Sequence, residues 1–178
     1  VTFDPAEARP RAVTVGYEGV AAMRTVLVAY ATKHGSTRQV AEAIAATLRG
    51  GGASVECRPA RGLRDSVAGY DLVVLGAPLY SGRWHRDAHR FLKRHRRELA
   101  EFAAFGMGPR SDESEAWRRS RAQLDRALAR HPDLRPVSVA LFGGVDPPGK
   151  RTHRDLRAWA AINGWADRVT GRVGWPTG

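Results

Sequence analysis

The sequence predicts an α/β domain built on one doubly wound parallel sheet with helices on both faces. Three observations predict it. Short, almost wholly apolar runs recur along the chain, such as VLVA at 26–29, LVVL at 72–75 and VSVALF at 137–142. Amphipathic stretches long enough for helices alternate with them, and turns rich in glycine or hydroxyl side chains follow the first, third and fifth runs. A strand buried on both faces needs an unbroken apolar run, and strand–helix alternation supplies the crossovers that join parallel strands.

In order along the chain, residues 25–31 (TVLVAYA) are the first strand, and a helix follows from about Ser36 with Val40, Ile44 and Leu48 on one face. Gly50, Gly51 and Gly52 end it. Residues 53–58 are a shorter second strand, followed by a loop with one helical turn before Gly69. Residues 71–77 (DLVVLGA) are the third and strongest strand, with Pro78 as its expected stop. A helix over 83–99 carries Trp84, Ala88, Phe91, Leu92, His95 and Leu99 as one apolar stripe, opposite a face crowded with arginine. Residues 101–107 supply the fourth strand. Asp112 with Glu115 reads as N-cap and capping partner of a helix through Trp117, Leu124 and Leu128 to His131, with Pro132 and Pro136 at its exit. Residues 137–142 are the fifth strand. Thr152 with Asp155 is the expected cap of a last helix containing Leu156, Trp159, Ile162 and Val169, which brings the total to five strands and about five helices.

At 178 residues the chain suits one domain that buries roughly 70% of its unfolded surface. Residues 1–22 have neither apolar periodicity nor a signal pattern, so they are expected to be a disordered extension or to precede the native start at Met23. Glu18-Gly19 can be encoded by a purine-rich stretch of the kind that binds ribosomes, which fits that start. The domain is expected over 23–170, with a tail at 171–178. No apolar run reaches the ~20 residues that span a bilayer. Lys and Arg number 29 against 18 Asp and Glu, a formal charge of +11, which favours polyanionic neighbours without choosing among them. The single cysteine, Cys57, excludes an intrachain disulfide and fits a reducing cytosol, so a cytoplasmic location is expected.

The first strand runs into Thr32, Lys33, His34, Gly35, Ser36 and Thr37 at the start of a helix. Such a turn aims backbone N–H groups and the hydroxyls of Thr32, Ser36 and Thr37 at one point, where the helix dipole favours an anion. That is the chemistry of a monophosphate site. The third strand ends in Pro78, Leu79, Tyr80, Ser81 and Gly82, and the fifth in Phe142, Gly143, Gly144, Val145 and Asp146. Both loops meet the phosphate turn at one sheet edge. Leu79 and Tyr80 can cover the face of a flat tricyclic ring, and the amides of Ser81, Gly82 and residues 143–145 can line its polar rim.

YATKHGSTRQVAEAIA at 30–45 resembles the FMN phosphate loop of flavodoxins, and GAPLYSGRWHRDAHRFLKRHRREL at 76–99 resembles the matching stretch of menaquinone-dependent protoporphyrinogen oxidases. Gly76, Tyr80, Gly82, His85 and residues 91–95 carry the second likeness. The resemblance runs from Met23 to about Trp165. It implies a flavodoxin-like sheet of order 2-1-3-4-5, FMN as cofactor, and an FMN-dependent, quinone-linked oxidation of protoporphyrinogen IX in haem synthesis. A tetrapyrrole and a quinone would then be partners, with peripheral contact at an anionic membrane. The alternative is a flavodoxin-type electron carrier with no substrate of its own. Two departures stand out: the basic charge is unlike that of acidic carrier flavodoxins, and Pro147-Pro148-Gly149 leads quickly towards the last helix.

Other motifs point elsewhere and are weaker. Residues 144–150 (GVDPPGK) mimic a nucleotide P-loop, but Arg151 replaces the hydroxyl that would hold Mg²⁺ and two prolines remove N–H donors. His85 and His89 share a helix face without a third metal ligand nearby in sequence. His95 and Cys57 read as packed residues. Nucleic acid is not expected, because Trp84 and Phe91 fall on the apolar stripe and are not interleaved with the basic residues.

Overall fold

The computed structural model describes residues 23–173. The expectations for residues 1–22 and for 174–178 lie outside the described residues. The elements are β1 (Thr25–Tyr30), α1 (Ser36–Gly50), β2 (Ser54–Pro59), β3 (Leu72–Tyr80), β4 (Arg83–Trp84), α2 (Arg86–His95), β5 (Phe102–Met107), α3 (Ser114–Ala129), β6 (Ser138–Phe142) and α4 (Trp159–Arg172). The long strands form a parallel sheet of order β2-β1-β3-β5-β6, with β4 added antiparallel to the end of β3. With β4 set aside, this is the expected order 2-1-3-4-5, a flavodoxin-like arrangement.

Alternation along each buried strand divides the core into two layers. Val26, Val28 and Val74 face α1 and α4, where Ile44, Leu48, Ile162 and Trp165 meet them. Leu27, Ala29, Val73 and Leu75 face the opposite side, against Phe91 and Leu92 of α2 and Leu124 of α3. Burying each such aliphatic or aromatic side chain contributes about 1.5–3 kcal/mol. Close packing fixes residue choice within the sheet. A Cβ on Gly76 would lie 1.9 Å from the Phe105 ring, which fills that space. Phe105 in turn packs against Phe142 and Trp165, at centroid distances of 5.7 Å between Phe142 and each of the other two rings.

Five local expectations are corrected. Pro78 does not stop β3: it pairs with Met107, and the strand runs on to Tyr80 before a two-residue turn at Ser81 (φ 47°) and Gly82 (φ 77°) leads into β4. Positive φ at both turn residues gives a hairpin whose twist matches its strands. Trp84 therefore reaches the core from a strand and donates from its indole N–H to the Ala77 carbonyl at 3.1 Å, while α2 begins at Arg86 behind His85, whose Nδ1 accepts from the Asp87 N–H. Residues 61–70 form turns without a helix, so the described residues contain four helices. Glu113, not Asp112, precedes the first turn of α3, and its side chain makes no capping bond. The last helix starts at Trp159, because Asp155 bonds the Arg157 N–H and stands opposite Val145 in a short antiparallel bridge, leaving Thr152 far outside α4.

Two carboxylates pin the loops at the strands' amino edge. Asp71 accepts from the Thr25 N–H at 2.8 Å, and Glu98 accepts from the Val67 N–H at 2.7 Å and the Ser66 hydroxyl at 2.9 Å. These backbone N–H donors, chiefly, hold both carboxyls below the usual range. A native pKa below the unfolded one makes the stabilisation complete above about pH 4–5 and loses it as pH falls through the depressed native value. Melting temperature should therefore fall on the acid side of about pH 4, and Asp71→Asn should shrink that fall. An unchanged acid slope in the variant would remove Asp71 from the account.

Candidate functional site

The parallel strands end together at one sheet edge, and the chain departs from β1 and β3 in opposite directions there. Such a switch point opens a crevice where α/β sheets bind ligands. A cleft of about 240 Å³ occupies it, lined by His34 and Ser36 from the turn after β1, by residues 78–81 from β3, and by residues 144–148 after β6. The three loops expected from the sequence thus meet. Met107, Gly108 and Arg110 after β5, with Gln39 and Arg157, complete the lining.

The turn after β1 has the features an anion needs. Gly35 stands at the N-cap of α1 with φ 90°, its N–H donating to the Thr32 hydroxyl at 2.9 Å, and no side chain caps the helix. The first turn of α1 contains no acidic residue. Thr37 is fully buried there, and its hydroxyl has no hydrogen-bond partner. An unpartnered buried hydroxyl costs about 1–3 kcal/mol, a cost that a bound phosphate oxygen would relieve. Lys33 holds its ammonium 5.9 Å from the centre of the Tyr80 ring, linking this turn to the next loop.

Tyr80 is 39% exposed, an unusual state for a large aromatic at a strand end, and half-buried Leu79 precedes it. Burial pushes the Tyr80 phenol up, partly offset by the Arg110 guanidinium. The loop after β6 is more occupied with itself than the sequence suggests. Gly144 donates its N–H to the Pro109 carbonyl at 2.8 Å, and Asp146 donates to Arg154 at 2.9 Å. Those amides are committed, whereas the N–H of Val145 takes no part in the bridge to Asp155. Asp146 accepts from the Arg154 N–H and lies 3.8 Å from Arg110; the Arg154 bond, first, and the nearby cations keep its carboxyl below the usual range.

Other sequence candidates fall away from the cleft. Phe142 turns into the aromatic core, and Gly143 is buried against the Leu156 backbone. Gly82 belongs to the hairpin turn and faces Gln123. His95 is buried and meets the Leu63 carbonyl at 3.3 Å, as its place on the apolar stripe predicts. Burial pushes the half-covered Cys57 thiol up to about 11, so it is not a reactive thiolate at neutral pH. No cluster of three metal-ligating side chains occurs among the described residues. Arg110 and Arg157 lie on segments that carry no motif, and only their return to the β5 and β6 ends places them here; Gln39 sits within the 30–45 motif, just beyond the hydroxyl-bearing turn that signals the site.

Among solved structures, the chain is similar to flavodoxin 2 from Bacillus cereus, with a TM-score of 0.57, 18% identity, and 83% of this chain and 99% of that one covered. It is similar to a flavodoxin from the domain Archaea (TM-score 0.58, 15% identity, 84% and 99% covered). A short-chain flavodoxin associated with a bacterial microcompartment gives 0.61, 16% identity, and 85% and 99% covered. At these identities the likeness establishes the fold. No curated protein sequence matches the chain. No helix among the described residues is long and apolar enough to cross a membrane. Residues 27–152, most of the chain, match the flavodoxin domain, and the chain belongs to that family.

Proposed function

We propose that the chain binds one FMN non-covalently and works as a redox carrier of the flavodoxin kind. The observation that carries this reading is the buried, unpartnered Thr37 hydroxyl at an uncapped helix N-terminus that opens onto a cleft of about 240 Å³. Ser36, Thr37 and the backbone N–H groups of residues 33, 34, 36 and 37 hold the phosphate, while the Gly35 N–H stays on the Thr32 hydroxyl. Leu79 and Tyr80 lie against the ring, the Val145 N–H serves its polar rim, and Pro147 and Pro148 close the cleft's outer side. Bound FMN supplies a ring that takes up and returns one or two electrons. The protein's part is placement and field: the guanidinium of Arg110 in the cleft favours added negative charge. One phosphate turn and a cleft of this size suit a mononucleotide and not a dinucleotide.

A second reading, oxidation of protoporphyrinogen IX with a quinone acceptor, is favoured by one observation. Arg86, Arg90, Lys93, Arg94, Arg96 and Arg97 all stand exposed on or just beyond α2, where an electron carrier docking on basic partners would be acidic. Such a face suits the carboxylates of a tetrapyrrole or an anionic membrane holding the quinone. The test is the appearance of porphyrin fluorescence from protoporphyrinogen with a menaquinone analogue, using FMN-loaded protein. The carrier reading expects the non-enzymatic rate together with reversible reduction of the flavin. A rate above background that falls sharply in the variant Arg86→Glu/Arg90→Glu/Arg94→Glu, and in raised salt as exposed charges are screened beyond about 8–10 Å, would establish the enzyme instead.

A further inference from the structure

A second and larger cleft, about 520 Å³, lies between α2 and the segment after α3, and it shares no residue with the cleft at the strand ends. Four cations line it: Arg90 and Lys93 from α2, Arg96 just beyond its end, and Arg130 just beyond the end of α3. One carboxylate, Asp133, opposes them, 3.9 Å from Arg96. Arg90 is paired with Asp87 at 3.2 Å, whereas Lys93 and Arg130 have no ion-pair partner among the described residues. The wall is flat. His89 and His131 stack with ring centroids 5.2 Å apart, joined by a 2.9 Å contact between Nδ1 and Nε2, and Trp84 abuts His89 edge-on from behind. Pro132 and Leu134 add apolar surface beside the rings.

We propose that this cleft is a separate ligand site for a small polyanion with a flat aromatic body, of the nucleoside polyphosphate class. Forked guanidinium groups and an ammonium suit phosphate oxygens, and the imidazole wall with Pro132 and Leu134 suits the face of a base. The volume exceeds what a lone phosphate fills. A divalent metal on the two histidines is disfavoured by the same four cations. Burial, with the Arg130 charge beside them, lowers the proton affinity of both imidazoles, so at neutral pH the wall is an uncharged stacking surface and the cations do the anion binding.

The test uses the full chain, with and without excess FMN, titrated calorimetrically with ATP, pyrophosphate, adenosine and phosphatidylglycerol vesicles, while the imidazole proton signals of His89 and His131 are followed by NMR. ATP should bind saturably in both conditions, more tightly than pyrophosphate or adenosine alone, and should move both imidazole signals. Lys93→Glu/Arg130→Glu should weaken ATP about tenfold to a hundredfold, since each charge-assisted contact contributes about a factor of ten. Lys93→Gln/Arg130→Gln should show a smaller loss of the same sign, and neither variant should alter FMN affinity. ATP binding that excess FMN abolishes, binding indifferent to both variants, absence of saturable ATP binding, or binding of vesicles alone would each overturn the proposal; the last would assign the cleft to a membrane surface.

Discussion

Replacing Thr37 by valine is expected to weaken FMN about tenfold to a hundredfold while leaving the ligand-free protein at least as stable as the parent. The two effects have one cause. The Thr37 side chain is fully buried in the first turn of α1 and its hydroxyl finds no partner in the protein. Valine keeps the shape and the branching and removes the polar atom, so folding no longer leaves a buried hydroxyl unsatisfied. Ligand binding loses a hydrogen bond to a charged group, worth about 1.5–3 kcal/mol. Riboflavin, which lacks the phosphate, should bind both proteins alike. Titrations of FMN and riboflavin, with a thermal melt of the ligand-free forms, check all three outcomes. Equal losses for both ligands would show that the turn holds no phosphate.

The second large effect is on the fold that carries the cleft. Gly143 follows β6, and a Cβ added there would lie 2.1 Å from the carbonyl oxygen of Leu156. That contact is with backbone, which cannot rotate aside as a side-chain tip can. Gly143→Ala must therefore push the 154–157 segment away from the sheet. That segment is tied in by the Leu156 N–H to the Gly144 carbonyl at 3.1 Å and by the Asp146 N–H to Arg154 at 2.9 Å, and Arg157 lines the cleft. Overpacking of this kind costs about 1–3 kcal/mol. A loss of unfolding free energy of that size, read from denaturant titration, together with weaker flavin binding, is expected. By contrast, Gly149→Ala meets no atom within 4 Å, so any loss there reflects its φ of 87° and should leave the cleft intact. Equal effects of the two variants on flavin affinity would contradict the packing role given to Gly143.

The parallel sheet was legible because burial leaves nearly unbroken apolar runs at 25–31, 101–107 and 137–142, whereas the edge strand expected at 53–58 shows only Val55 and Cys57 alternating with polar residues; all four differ from the observed strands by a residue or so at their ends. The turn after β1 and the start of α1 at Ser36 were legible for a related reason, since hydroxyls, Gly35 and a helix start are contiguous in sequence. Extension of β3 through Pro78 was hidden, because a proline at the last pairing position costs little where its carbonyl still accepts from the His85 N–H. Ser81-Gly82 is the local signal for the hairpin, and it serves equally well as a ligand loop in sequence. The false cap at Thr152 and Asp155 shows the limit of local patterns: Asp155 turned to Arg157 instead, a choice set by the bridge to Val145. Arg110 and Arg157 could be placed only by tertiary structure.

The central claim is that the turn over 32–37 and the cleft beside it hold FMN through its phosphate. It is tested most directly by titrating flavin-free protein with FMN, riboflavin and FAD and following the quenching of flavin fluorescence. The account predicts one FMN per chain at micromolar affinity or better, riboflavin weaker by about a hundredfold or more for the lost charge-assisted hydrogen bonds, and FAD no tighter than riboflavin. FAD bound more tightly than FMN, or no FMN bound at micromolar concentration, would contradict it.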